Sequence, residues 1–467
     1  IAEISAGDWR AEFDFDLLGL ETDRRMPGIN SRWQRDGLGR PVAHTAGVRT
    51  KRYTWGHHCQ LHQIRDEKGI THFEHNTRND LCKTVYPDGE TQLRNPDAAG
   101  NLYRSSNRQD RVYARGGRLK KAGGWEYGYD EEGRLLEKKH ADGRSWSYEW
   151  NSAGRLIRVT RPDGAEVSFG YDALGRRLWK RFKNTITNFV WDGNTILHEW
   201  KENAISGALL DEAATTWVYE TDSFAPAARI KGDKTYSVVT DHLGTPTQLY
   251  KEDGELIWEG ELDSYGKLRL EKGAPGSCPF RYQGQYEDAE TGLYYNRFRY
   301  YGPDEGLYIS PDPIGLAGGA TPYGYVNDPC GLIDPLGLDP YDPIQELENR
   351  GFTGVTKTPG GGLNFAGSNA LHATNPIQQI TYTGDYVKDF AAASQQALGQ
   401  NSTPRGYVWH HLDDYDHTTG KGTMQLVKRD AHLGISHKGG VNQYEKATGK
   451  KYTFPLRKPQ TQTAYKK

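Results

Sequence analysis

Tyr129-Asp130-Glu131-Glu132-Gly133-Arg134-Leu135 returns as Asn151-Ser152-Ala153-Gly154-Arg155-Leu156 and again as Tyr171-Asp172-Ala173-Leu174-Gly175-Arg176-Arg177-Leu178, the glycines stepping by 21 residues. Asp142-Gly143 and Asp163-Gly164 repeat at the same step, so each unit holds two turns, one at the x-x-Gly-Arg site and one at Asp-Gly. Asp-Gly closes hairpins because its glycine accepts the positive φ that a tight turn requires. Between the turns, Ser145-Trp146-Ser147-Tyr148-Glu149-Trp150 and Glu166-Val167-Ser168-Phe169-Gly170-Tyr171 alternate large with small or polar side chains, the period-two pattern of half-buried strands. A single hairpin buries too little to stand alone, so successive units must join into one continuous sheet. Looser copies at Asp36-Gly37-Leu38-Gly39-Arg40 and Pro87-Asp88-Gly89 extend it upstream.

Composition agrees with a mainly β protein of two or three domains. The chain has 467 residues, 35% hydrophobic, with 29 Tyr, 12 Trp and 55 Gly against 2 Met; aromatics suit pleated surfaces and glycine suits tight turns. Apolar runs stay far below the roughly 20 residues of a membrane-spanning helix. The start IAEISAGDWRAEFDFD is acidic, so export is expected without a signal peptide. Cys59, Cys82, Cys278 and Cys330 are scattered with no CxxC pair and read as free thiols of a reducing compartment. The net charge of -2 hides an asymmetry: from Lys421 onward there are 11 basic against 2 acidic residues, which suits a polyanionic partner.

Further motifs continue the pattern: Asp241-His242-Leu243-Gly244-Thr245-Pro246, Tyr265-Gly266, Arg281-Tyr282-Gln283-Gly284-Gln285-Tyr286, Thr291-Gly292-Leu293-Tyr294-Tyr295-Asn296-Arg297-Phe298-Arg299-Tyr300-Tyr301, and Ser310-Pro311-Asp312-Pro313-Ile314-Gly315-Leu316. With the repeats, this run resembles the YD-repeat, or Rhs, family from roughly residue 30 to 338. The resemblance implies a YD-repeat β-shell, a spiral sheet wound into a cocoon, of which this chain is a C-terminal part or a minimal version. Asp312-Pro313-Ile314-Gly315-Leu316 is echoed by Asp334-Pro335-Leu336-Gly337-Leu338, after which the composition changes. The division that follows is 1–311 for the shell, 312–338 for a closing segment and 339–467 for a variable toxin. The family likeness also implies self-cleavage after Leu338 by Asp312 and Asp334, which requires two carboxylates close enough for one to act as base on water and the other as acid on the carbonyl.

In the last segment, Pro359-Gly360-Gly361-Gly362 reads as a flexible break and Asp385 as the N-cap of a scaffolding helix running to about Gln395. Trp409-His410-His411, then Gly422-Thr423-Met424-Gln425-Leu426-Val427, then Asp430-Ala431-His432 and His437 read as strand, strand and a short helix capped by Asp430. This order resembles the ββα-metal fold of the HNH and endonuclease VII superfamily, in its WHH subgroup. The resemblance implies that His411 is the general base, that His410 holds a divalent ion (Mg, Mn, Ni or Zn), that His432 and His437 complete the metal shell or contact the scissile phosphate, and that Lys428, Arg429 and Lys438 contact flanking phosphates. Where HNH motifs often carry Asn to orient the base, Thr423 stands, so Thr423 or Gln425 takes that role or it is vacant. The spacing from His432 to His437 misses one face of a regular helix, placing His437 past a helix end near Gly434. His417, in a turn, and the cluster of His57, His58, Cys59 and His62, in repeat territory, are read as structural.

The resemblances together imply a polymorphic toxin: a shell that matures a metal-dependent DNase, with RNA as the alternative substrate and a non-enzymatic YD-repeat surface or adhesion protein as the alternative class. They imply a cognate immunity protein, a secretion spike of type VI kind, and action in the cytoplasm of a target cell.

Overall fold

A computed structural model describes residues 2–16, 20–37, 39–56, 60–221, 223–273, 276–315, 321–338, 344, 347–348, 350–358, 362–432, 439–450 and 452–453. The chain divides into two compact units: Ile1–Phe13, Asp23–Arg32 and Ala43–Tyr341 form one, and Asp14–Thr22, Trp33–Val42 and Asp342–Lys467 the other. Among the described residues the chain is mainly β, with a ten-stranded sheet from Ala2–Ala6 to Thr91–Leu93 and a sixteen-stranded sheet from Arg111–Tyr113 to Leu268–Gly273. In both sheets each strand pairs with the next in sequence, as hairpin-linked repeats require.

The repeat has a chemical logic visible at its turns. Asp130 Oδ1 accepts from the Arg134 backbone N–H at 2.7 Å while its Oδ2 takes the Arg134 Nε at 2.6 Å. Asp172 and Arg176 repeat this geometry, and Asp36 and Arg40 do so in the upstream copy. The glycine between them sits at positive φ, 86° at Gly133 and 74° at Gly175, where a Cβ would be strained. A one-residue register shift precedes each turn, at Gly128/Tyr129, Glu149/Trp150 and Gly170/Tyr171. The aromatic at the shift reaches back to the previous turn: Trp150 Nε1 donates to Leu135 O, Tyr171 OH to Leu156 O and Trp191 Nε1 to Arg177 O. Each repeat is thereby pinned to the one before it, and the register is fixed.

A four-stranded sheet, Tyr286–Asp288, Leu293–Asn296, Arg299–Gly302 and Leu307–Tyr308, packs against the sixteen-stranded one. Leu293, Tyr295, Tyr300, Leu307 and Ile309 join Leu135, Tyr148, Leu156, Val159 and Phe169 in a single buried cluster. The inward side chains of the repeats are therefore covered by the family-like segment that follows them. Cys82, Cys278 and Cys330 are free thiols; Cys59 lies outside the described residues, as do His57 and His58.

In the second unit, a three-stranded sheet runs in the order Ile377–Thr381, Lys421–Lys428, Tyr407–His411. The expected helix spans Tyr386–Leu398; Asp385 caps it by accepting from Val387 N and Lys388 N, and Gly399 ends it at φ 69°. Asp430 caps no helix. Arg429–Ala431 is a single 3-10 turn with His432 at its end, and the following helix is Gly440–Thr448. Residues 359–361 of the expected break, and Gly434, lie outside the described residues. Among those described, no helix is long and apolar enough to cross a membrane.

Candidate functional site

The two adjacent histidines separate because neighbours on a strand face opposite ways. Register pairs His410 with Gln425 and His411 with Met424. His410 is 1% exposed and packs edge-on against Phe365. Its Nε2 lies 2.8 Å from Leu363 O, and its Nδ1 lies 3.3 Å from His432 Nε2. A carbonyl only accepts, so the His410 proton sits on Nε2 and Nδ1 presents a lone pair. Two imidazole nitrogens at about 2.0–2.1 Å from one tetrahedral ion lie about 3.3–3.4 Å apart, so this spacing fits a pair of ligands of a divalent ion. Among the described residues no group of three or more His, Cys, Asp or Glu forms a metal site; His437 and Lys438 lie outside them.

His411 turns toward the Tyr386–Leu398 helix, into a cage of Tyr382, Tyr386, Phe390 and Tyr452. Its Nε2 lies 3.3 Å from Asp389 Oδ2. Asp389 is fully buried and accepts from Thr383 N at 2.9 Å, Thr383 Oγ1 at 2.6 Å and Tyr452 OH at 2.5 Å. Burial pushes this carboxyl upward, but the hydrogen bonds from His411, Thr383 and Tyr452 outweigh it and hold it below the usual carboxylate range. The helix read as scaffolding alone thus carries the partner of His411. One sequence signal could have found it: an acid in the first turn of a capped helix, three residues after Tyr386 and so beside it on the helix surface.

The residues expected to orient His411 are engaged elsewhere. Gln425 Oε1 accepts from Phe365 N and its amide donates to Asn364 Oδ1, on the His410 face. The Thr423 hydroxyl donates to Asp414 Oδ2 at 2.5 Å. Lys428 is exposed, with Nζ 5.8 Å from the Phe352 ring centre, and Arg429 places its guanidinium 4.7 Å from the Phe15 ring centre.

In the first unit, Asp312 and Asp334 meet on one guanidinium: Arg299 Nη2 lies 2.8 Å from Asp312 Oδ2 and 3.3 Å from Asp334 Oδ2. Asp334 Oδ1 accepts from Gly337 N at 2.9 Å and Leu338 N at 3.0 Å, while Tyr308 OH donates to its Oδ2 at 2.8 Å. Arg299 Nε also donates to Gly337 O. Burial raises the Asp312 carboxyl above its ordinary value; Arg299 and the Ile314 N–H oppose this and Asp334 adds to it. The expected pair of carboxylates is thus brought together, with an arginine between them that the sequence reading did not single out.

Residues 52–317 match the family model described as teneurin YD-shell. Residues 399–447 match that of a nuclease of the HNH/ENDO VII superfamily with conserved WHH. The chain is 30% identical over 376 residues to the double-stranded DNA deaminase toxin A of Burkholderia cenocepacia, covering 70% of this chain and 26% of that protein. It is 39% identical over 171 residues to the probable deoxyribonuclease RhsB of Dickeya dadantii, covering 35% of this chain and 12% of that protein. The chain therefore spans about a quarter or less of these relatives. Its fold resembles part of the Photorhabdus luminescens Tc holotoxin pore, with TM-score 0.52 at 17% identity over 71% of this chain and 20% of that one.

Proposed function

The chain belongs to the teneurin YD-shell family, and from that premise we propose that its repeats form part of a shell holding a nuclease toxin, residues 339–467, which is cut free after Leu338. The freed part is a metal-dependent DNase used against competing bacteria. The observation that carries this reading is the His410–His432 nitrogen pair at 3.3 Å, with Leu363 O fixing the tautomer of His410.

In this reading His410 and His432, with His437, hold a divalent ion. Such an ion supplies charge neutralisation at the phosphate and the leaving oxygen. His411 takes the proton from the attacking water, its ring held by Asp389 and the aromatic cage. Lys428, Arg429 and Lys438 hold neighbouring phosphates, and the basic C-terminal stretch adds non-specific attraction to DNA.

For release, Asp334 takes a proton from water and Asp312, raised by burial, gives one to the oxygen of the Leu338 carbonyl. The oxygen of that water adds to the carbonyl carbon; as the peptide bond breaks, Asp334 passes its proton to the leaving amine and a hydroxyl of the intermediate returns one to Asp312. Arg299 keeps the two carboxyls in one place. A small immunity protein occludes the site in the producer, and a type VI-like machine carries the toxin to the cytoplasm of its target.

The test is supercoiled plasmid incubated with residues 339–467 and Mg, Mn, Ni or Zn in turn. Nicked and linear products with at least one metal are expected, and their loss in His411→Ala. Intact plasmid with every metal contradicts the reading.

A further inference from the structure

We infer that Asp389 is the positioning residue of His411, fixing which ring nitrogen carries the proton and which accepts one. The assignment rests on the reading of His411 as base. Asp389 and Tyr452 both lie outside residues 399–447, the stretch matched to the nuclease family, so neither belongs to the motif that suggested the activity.

Four groups converge on the Asp389 carboxylate: Thr383 N and Thr383 Oγ1 on Oδ1, Tyr452 OH and His411 Nε2 on Oδ2. The backbone N–H of Thr383 can only donate, so Oδ1 is committed as an acceptor. An ionised carboxylate accepts from all four, and with the carboxyl held below its usual range it stays ionised at neutral pH. His411 then carries its proton on Nε2, and Nδ1 is left with the lone pair. Among the described residues no hydrogen bond is made to Nδ1. The cage of Tyr382, Tyr386, Phe390 and Tyr452 bars the ring from turning over. The burial of a carboxylate on the Tyr386–Leu398 helix is thereby explained: it costs desolvation and yields one defined tautomer at the last residue of the Tyr407–His411 strand.

Asp389→Asn discriminates this role from a merely structural one. With its oxygen committed to Thr383 N, the amide must turn its NH2 toward His411 and Tyr452. A donor there forces the His411 proton from Nε2 to Nδ1 and leaves no lone pair for water, the reversal known for the orienting aspartate of serine proteases. The experiment uses the full chain, labelled with 15N-histidine, at about pH 8 where a free imidazole is neutral, with the His411 signal assigned by its loss in His411→Ala. Plasmid-nicking rate and divalent-ion affinity are measured on the same samples.

The expected result is an Nε2–H tautomer in the unaltered chain and Nδ1–H in Asp389→Asn. The rate at saturating DNA falls at least about 100-fold, while KM and ion affinity stay within about threefold. Tyr452→Phe, which removes a donor and leaves the acceptor, keeps the Nε2–H tautomer and most of the rate. In a His411→Ala background Asp389→Asn has no further effect on rate, since the two act as one unit. An Nδ1–H tautomer in the unaltered chain, or Nε2–H retained in Asp389→Asn, overturns the proposal. The unaltered chain decides even if Asp389→Asn does not fold. A tautomer that switches with no loss of rate instead overturns the reading of His411 as base and leaves its pairing with Asp389 standing.

Discussion

Arg177 and Asp288 form an ion pair at 2.6 Å with neither side chain exposed. Arg177 stands directly after Gly175-Arg176, the place that Leu135 and Leu156 fill in the preceding repeats, while Leu178 is 41% exposed. A guanidinium in a leucine position is tolerable because Asp288 neutralises it and the rings of Phe189, Tyr286 and Tyr295 surround it. Burial alone lowers the affinity of Arg177 for its proton, but Asp288 more than offsets this and the group stays charged. We expect Asp288→Asn to destabilise the first unit by about 3–5 kcal/mol, because it strands a buried charge. Arg177→Met with Asp288→Leu should recover much of that loss. The check is urea unfolding of the three proteins; equal midpoints for Asp288→Asn and the unaltered chain contradict the argument.

The placing of Asp334 should be sensitive to a single methyl group. Gly284 has φ 82°, and a Cβ there would run into Pro335 O. Since Pro335 follows Asp334, Gly284→Ala should push the aspartate off Arg299 and leave the chain uncut while the repeats stay folded. On a denaturing gel, Asp334→Asn and Gly284→Ala should both remain full length, and the unaltered chain should release residues 339–467. A severed fragment from Asp334→Asn removes the carboxylate pair from the mechanism.

Most of the fold was legible because the repeat is a local code. The Asp or Asn, Gly and Arg of each turn bond within a few residues, and alternation between turns fixes which side chains are buried. What escaped was long-range. Arg299 approaches Asp334 from 35 residues away, and Asp389 reaches His411 from 22; no local spacing encodes either meeting. The doubled histidine was legible as chemistry, yet its strand geometry sends the two rings to opposite faces. Thr423 and Gln425 flank Met424, the register partner of His411, and were read by motif position; Asp389, the carboxylate beside His411, comes from a helix 22 residues earlier.

The same aspartate predicts how the second unit responds to acid. Its carboxyl is held below the ordinary range, so the folded state binds this proton less readily than the unfolded chain does. The stability it contributes is fully present above the unfolded value of about 3.9 and is lost as pH falls through the lower folded value. Amide hydrogen exchange in the Tyr407–His411 strand should therefore accelerate in acid below about pH 4. Asp389→Asn should be weaker already at neutral pH, by about 1–3 kcal/mol, but should lack that acid-dependent component. An identical acid profile for both chains contradicts the linkage.

The Leu363 carbonyl gives a test of the proposed ion-binding role of His410 and His432 that does not pass through activity. Because it accepts from His410 Nε2, His410 can offer an ion only Nδ1, whereas His432 turns Nε2 toward the same point. Removing either ring should weaken divalent-ion binding by at least about tenfold, the lower end of what even supporting residues contribute. His432→Ala should do so with the smaller loss of stability, because His432 is half-buried at the end of a 3-10 turn. His410→Ala should also lose stability, since its ring fills a fully buried place against Phe365. Calorimetric titration of Zn into the full chain separates the two effects when combined with unfolding midpoints. His411→Ala serves as the contrast, because its ring faces Asp389 across the sheet: it should leave ion affinity within about threefold while abolishing cleavage of DNA. Unchanged Zn affinity in both His410→Ala and His432→Ala would place the ion elsewhere.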